Sequence, residues 1–93
     1  MRLHGRIDRN HNEIRHVLEK CGVSVQSLAN VGHGCPDLLC GFRKQNYLFE
    51  VKDGLLSPSR RVLTYAEVEW QLHWSGQVQI IKSPDDALRI LEL

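Results

Sequence analysis

The stretch PDLLCGFRKQNYLFEVK, residues 36–52, decides how this chain is read. Leu38, Cys40 and Phe42 alternate with Asp37, Leu39 and Gly41; Tyr47, Phe49 and Val51 alternate with Leu48, Glu50 and Lys52. Two period-2 runs joined by a short polar segment, 43–46, predict a β-hairpin. With Phe42 facing Tyr47, Asp37 falls opposite Lys52 and Leu39 opposite Glu50. Directly opposed residues share a face. Asp37, Glu50 and Lys52 then emerge together with Leu39, Gly41 and Leu48, and the remaining residues form an apolar face. A slip of one residue would push Asp37 into the core, an expensive place for an unpaired carboxylate. In the expected register Asp37 and Glu50 are diagonal neighbours, with Cα atoms ~7–8 Å apart.

Two carboxylates so placed can share a divalent cation, and oxygen-only ligands suit Mg²⁺ or Mn²⁺. Lys52 adds a compact positive charge that can orient or activate water and balance a phosphate. The bland alternative is a surface salt bridge from Asp37 to Lys52 across the strand pair.

Upstream, Ile7, Ile14, Val17, Leu18 and Cys21 recur at helical spacing before Gly22, which predicts a helix from about Ile7 to Cys21. Val23 and Val25 alternate with polar neighbours as a first strand, and Gly32 and Gly34 mark a loop. Downstream, residues 52–62 break periodicity. Thr64 and Glu67 form a capping box for a second helix that runs to about Ser75 and stops at Gly76. Residues 77–82 read as a short strand. Ser83, Pro84, Asp85 and Asp86 open a last helix. The expectation is one α/β domain over 1–93, in the order α-β-β-β-α-β-α, around a small mixed sheet.

Composition sets the remaining bounds. Hydrophobic content of 42% and charged content of 25% are ordinary for a globular chain. No apolar run approaches ~20 residues, and the N-terminus lacks a secretory signal's apolar stretch. Cys21, Cys35 and Cys40 have no CxxC spacing, which suits an intracellular, cytoplasmic, reducing setting. A zinc or redox site on His33, Cys35 and Cys40 is disfavoured, because no four-ligand spacing occurs. The net charge is only +1, but residues 43–61 carry five cations against two acids and residues 62–93 two against five. Such asymmetry can steer a phosphate backbone.

Pro36-Asp37 followed by Glu50-Val51-Lys52 resembles the signature of the PD-(D/E)xK nuclease superfamily. The closer likeness is to the virus-type replication–repair nuclease (VRR-NUC) family, through Gly32-His33-Gly34-Cys35-Pro36-Asp37-Leu38 before the second strand, the Glu-x-Lys strand, the capped helix and the closing helix from Ser83 to Leu88. The resemblance covers nearly the whole chain and is strongest at the hairpin. It implies a PD-(D/E)xK restriction-endonuclease-like core and metal-dependent phosphodiester hydrolysis in DNA, leaving a 5′ phosphate. For small stand-alone members it also implies a homodimer that acts on four-way (Holliday) junctions.

By position, Asp37 and Glu50 would hold Mg²⁺ or Mn²⁺ with the Val51 carbonyl, and Lys52 would serve the attacking water. Glu13 matches an acid that relatives place on the first helix, against the alternative of an exposed helix carboxylate. Gln71 falls where relatives often have a polar active-site residue, against the alternative of a surface glutamine. Arg43, Lys44, Arg60 and Arg61 are expected to contact backbone phosphates without reading sequence. Trp70 and Trp74, four apart, read as core or as part of a dimer seam. The rival functions are a DNA nickase, flap or restriction-type nuclease, and a non-catalytic DNA-binding module on a nuclease-like scaffold.

Overall fold

A computed structural model describes residues 9–93. The chain forms α1 (His11–Lys20), β1 (Ser24–Ser27), β2 (Leu38–Phe42), β3 (Gln45–Val51), α2 (Tyr65–Leu72), β4 (Gln79–Ile81) and α3 (Pro84–Ile90). A 3-10 turn, Pro58–Arg60, interrupts the β3–α2 connection. The four strands lie in the order β1-β2-β3-β4. The first three are antiparallel, and β4 runs parallel to β3. A parallel neighbour requires a crossover, and the segment carrying α2 supplies it. The result is a small α/β fold with a mixed sheet. The expected helix start at Ile7 lies outside the described residues. No helix among the described residues is long and apolar enough to cross a membrane.

The β2–β3 register corrects the expectation. Phe42 pairs with Gln45, Cys40 with Tyr47 and Leu39 with Leu48. The turn is therefore the two residues Arg43 and Lys44, at φ 53° and 69°. Two consecutive left-handed residues make a type I′ turn, whose twist matches that of the flanking strands. Asp37 is thus not opposite Lys52, nor Leu39 opposite Glu50. The shift preserves which face each side chain occupies, because it moves each pairing by an even number of residues.

Leu38, Cys40, Phe49 and Val51 point to one face and are at most 1% exposed. α1 contributes Ile14 and Leu18 to that core, β4 contributes Ile81, and α3 contributes Ala87. Each fully buried Phe or Leu contributes roughly 1.5–3 kcal/mol through apolar burial. Asn10, in the N-cap position of α1, makes no side-chain cap. Its amide instead donates to the carbonyls of Lys52 at 3.1 Å and Lys82 at 2.8 Å. The first turn of α1 is thereby tied to the ends of β3 and β4.

α2 ends at Leu72, short of the expected Ser75, and buries none of its residues. It is held over the outer sheet face by its N-terminus. A Cβ on Gly34 would lie 2.1 Å from the Ala66 carbonyl oxygen, and Gly34 has φ +83°. Only glycine accommodates both demands, so the 32–36 loop and the first turn of α2 meet backbone to backbone.

Candidate active site

Asp37 stands just before β2. Its N–H donates to the Phe49 carbonyl at 3.0 Å, and its own carbonyl accepts from the Leu28 N–H at 2.7 Å. These bonds hold its backbone between β3 and the segment after β1. Its carboxylate Oδ2 accepts from the Val51 N–H at 2.7 Å. Continuing the observed register sets Asp37 beside Glu50, nearer than the diagonal placement expected from sequence.

Glu50 is 2% exposed, on the face opposite the apolar core. Its Oε1 is buried and has no hydrogen-bond partner. Its Oε2 lies 3.7 Å from Lys52 Nζ. Lys52 in turn donates to Glu67 Oε1 at 2.8 Å. The same Glu67 oxygen accepts from the Thr64 N–H at 2.8 Å, while Thr64 Oγ1 accepts from the Glu67 N–H at 3.2 Å. The capping box thus starts α2 and also aims the Glu67 carboxylate at Lys52.

Two carboxylates, Glu50 and Glu67, flank the Lys52 ammonium, and Asp37 lines the same cleft. Burial pushes the Glu50 carboxyl up to about 10, and the negative charges of Asp37 and Glu67 push the same way. Burial also raises Asp37, against the opposing effect of the Val51 N–H. Glu67 stays below its usual value: burial acts against ionisation, but the bonds from Lys52 and Thr64 outweigh it. The Asp37–Glu50 pair therefore retains a proton that two separate acids would lose. Cys35, at the rim, is held as a thiol by burial first and then by Glu50 and Asp37. A cleft of about 400 Å³ opens onto Asp37, Lys52 and Glu67 between the 32–35 loop and the start of α2.

The sequence-derived site residues divide into two groups. Asp37, Glu50 and Lys52 come together. Val51 joins them through its N–H. Gln71 lies one turn beyond Glu67 on α2, with its Nε2 buried and unpartnered. Glu13 is not brought to them; it is exposed and lines a separate cavity of about 580 Å³ with Arg9 and Asp53. That cavity is larger, but Asp53 there is already neutralised by Arg9 at 2.8 Å.

Arg43 and Lys44 sit at the hairpin tip, ~20 Å from Asp37 at a strand rise of ~3.4 Å per residue. Arg60 is exposed on the 3-10 turn, and Arg61 donates to the Gly54 carbonyl at 2.9 Å, bracing the loop. Trp70 and Trp74 stack with ring centroids 4.6 Å apart, and Trp74 is 46% exposed, so the pair is not core. Two residues escaped the sequence reading. Glu67 was visible only as a cap. His11 is 2% exposed, and both its ring nitrogens lack a partner; it precedes Ile14 and Leu18 on the stripe that a helical period marks out.

Among the described residues, no group of three or more His, Cys, Asp or Glu side chains is drawn up as a ready metal cage. Asp37 is turned onto Val51 and Glu67 onto Lys52. The chemistry of the donor set nevertheless fits a hard divalent cation: buried carboxylates in excess of cations, with Glu50 Oε1 unpartnered. Comparison of the chain with protein-family models, curated proteins and solved structures yields no match.

Proposed function

We propose that this chain is a divalent-cation-dependent DNA endonuclease of the PD-(D/E)xK type and VRR-NUC family, with Asp37, Glu50 and Lys52 at its hydrolytic centre. The observation that supports this reading best is Glu50, 2% exposed beside Asp37, with its carboxyl raised to about 10. A buried acid pair of this kind is destabilising unless a cation or proton neutralises it.

Asp37 and Glu50, with the Val51 carbonyl, would hold Mg²⁺ or Mn²⁺. The cation, when bound, polarises a phosphate oxygen and lowers the pKa of a water. Lys52, fixed by Glu67, offers its ammonium to orient the attacking water and to stabilise negative charge as it develops. The Thr64 box preorganises Glu67, so little rearrangement is needed to aim Lys52. The wall formed by the 32–35 loop and α2 narrows the cleft around the reacting phosphate. Arg60 and the hairpin tip supply phosphate contacts. The tip lies ~20 Å from the centre at a strand rise of ~3.4 Å per residue, so Arg43 and Lys44 suit backbone phosphates away from the cut.

The substrate we assign is branched DNA, and the acting species is a homodimer. Leu72, Trp74 and Ile80 are 72%, 46% and 46% exposed on the outer side of the sheet. A two-fold pair of such faces would present two centres to a four-way junction.

The second reading, a non-catalytic DNA-binding module, is favoured by one observation: Glu67 already engages Lys52. The test is cleavage of a labelled panel in Mg²⁺ or Mn²⁺: four-way junction, flap, nicked duplex, linear duplex and single strand. The proposal expects metal-dependent nicking, best on the junction and lost in Asp37→Asn. Preference for the flap or nicked substrate would move the assignment to a flap or nicking enzyme. Binding without cleavage of any substrate would establish the non-catalytic module.

A further inference from the structure

His11 is the one buried imidazole among the described residues. A side chain on the Ile14–Leu18 stripe has no structural need of nitrogen, since a phenylalanine or leucine would bury there without leaving polar atoms unsatisfied. Buried polar groups without partners are uncommon and call for an explanation such as a catalytic role or an ion. The placement of His11 supplies one. Asn10 binds the Lys52 and Lys82 carbonyls, which pins the first turn of α1 against the end of β3. His11, next in the chain, is thereby set at the end of β3, where the Asp37 carboxylate is bound to the Val51 N–H. Asp37 spends one oxygen on the Val51 N–H, and its carboxylate can accept further bonds.

We propose that His11 is a positioning residue for the cation site: its imidazole N–H hydrogen-bonds the Asp37 carboxylate when a divalent cation is bound, and so fixes the group that holds the cation. This rests on the metal-dependent reading given above. Ligating carboxylates are generally held by such outer partners, and removing one typically weakens metal affinity ~10–100-fold. The nitrogen that costs the fold stability is then the nitrogen the site uses.

The experiment measures Mn²⁺ affinity, from the electron paramagnetic resonance signal of the free ion, together with thermal unfolding. It compares the parent chain, His11→Phe, His11→Gln and Asp37→Asn. His11→Phe keeps a ring of similar size and removes both nitrogens. It is expected to unfold at the same or a higher temperature yet bind Mn²⁺ ~10–100-fold more weakly. His11→Gln, whose amide can still donate, should recover most of the affinity. A purely structural histidine gives the opposite pattern, a lower unfolding temperature with unchanged affinity, and that pattern overturns the proposal. Should His11→Phe not fold, Mg²⁺ titration of the parent chain decides: the His11 ring ¹⁵N resonances must shift on binding, and their constancy is a refutation. If the parent binds Mn²⁺ and Asp37→Asn does not, while His11→Phe binds normally, only the role of His11 fails. If the parent binds no Mn²⁺, the metal-dependent reading fails with it.

Discussion

Glu50 is where folding and the proposed chemistry pull in opposite directions. Its folded-state carboxyl titrates near 10 because burial and two neighbouring acids oppose ionisation, whereas an unfolded glutamate titrates near ~4.3. Between those values the folded chain holds a proton that the unfolded chain has lost. Stability from this group is therefore full below pH ~4.3 and falls as pH rises toward about 10. In chelator, urea unfolding at pH 5, 7 and 9 should show the parent losing stability with pH. Glu50→Gln should flatten that slope and be the more stable protein at neutral pH. Equal slopes would contradict the account. Glu67 makes the complementary case. Thr64→Ala removes a helix cap worth ~1 kcal/mol and loosens the first turn of α2 from which Glu67 reaches Lys52, although the Thr64 N–H that Glu67 accepts from is kept. A modest drop in unfolding temperature should accompany a loss of cleavage of about 10-fold or more, measured under single turnover. A stability loss with full cleavage would leave Thr64 a cap only. His11, Glu50 and Glu67 explain what was legible at this scale. Pro36-Asp37 and the Glu-x-Lys triplet mark chemistry through residue type and spacing. Glu67 was hidden because its capping pattern already accounted for it, and His11 because a histidine on an apolar stripe reads as core. Glu13 rested on likeness to relatives, although the phase of Ile14 and Leu18 points the glutamate outward.

At the level of elements, the hairpin was legible by parity and not by register. Alternation with period 2 specifies which residues face the core, and Leu38, Cys40, Phe49 and Val51 obey it. Which residues form the turn depends on a type I′ preference that Asn-Gly announces and Arg43-Lys44 does not. Both turn residues sit at positive φ, which strains ordinary side chains by roughly 1–2 kcal/mol each. Replacing the pair with Asn-Gly should therefore raise stability by about 1 kcal/mol or more, read by chemical denaturation, with the fold unchanged. No gain would argue against a two-residue turn. The end of α2 was overestimated because Trp74 continues the apolar spacing after the backbone has left the helix; His73 already occupies the C-cap. Gly34 is the element-scale test of the site. Gly34→Ala would bring a methyl into the Ala66 carbonyl and lift the start of α2. Cleavage should fall about 10-fold or more, while amide exchange in α1, β2 and β3 stays protected. Unchanged cleavage would separate α2 from the site.

For the whole molecule, the sheet has one face covered by α1 and α3 and another that α2 shelters only in part. In a chain of 93 residues the buried fraction is small, and association is a common remedy. The proposed dimer is tested by light scattering: the parent should run at twice the chain mass, and Leu72→Glu with Trp74→Glu at one. A monomeric parent at working concentration would remove the dimer from the account. The mixed α/β class was readable because α1 and the hairpin carry their own periods and α2 and α3 their own caps. The pairing of the bare face was not, since an apolar residue on an outer surface looks the same in sequence as one in a core. Phosphate contacts at the hairpin tip predict that binding of junction DNA weakens steeply with salt. The double change Arg43→Ala with Lys44→Ala should weaken binding evenly across sequences and reduce the salt slope by about 2.

The most direct measurement is hydrolysis of one labelled four-way junction in Mg²⁺ by the parent chain, Asp37→Asn and Lys52→Ala, with Mn²⁺ binding followed in parallel. The account predicts cation-dependent nicks by the parent alone, no cation binding by Asp37→Asn, and near-normal cation binding by Lys52→Ala with cleavage lost. Nicking by either variant at the parent's rate would contradict it.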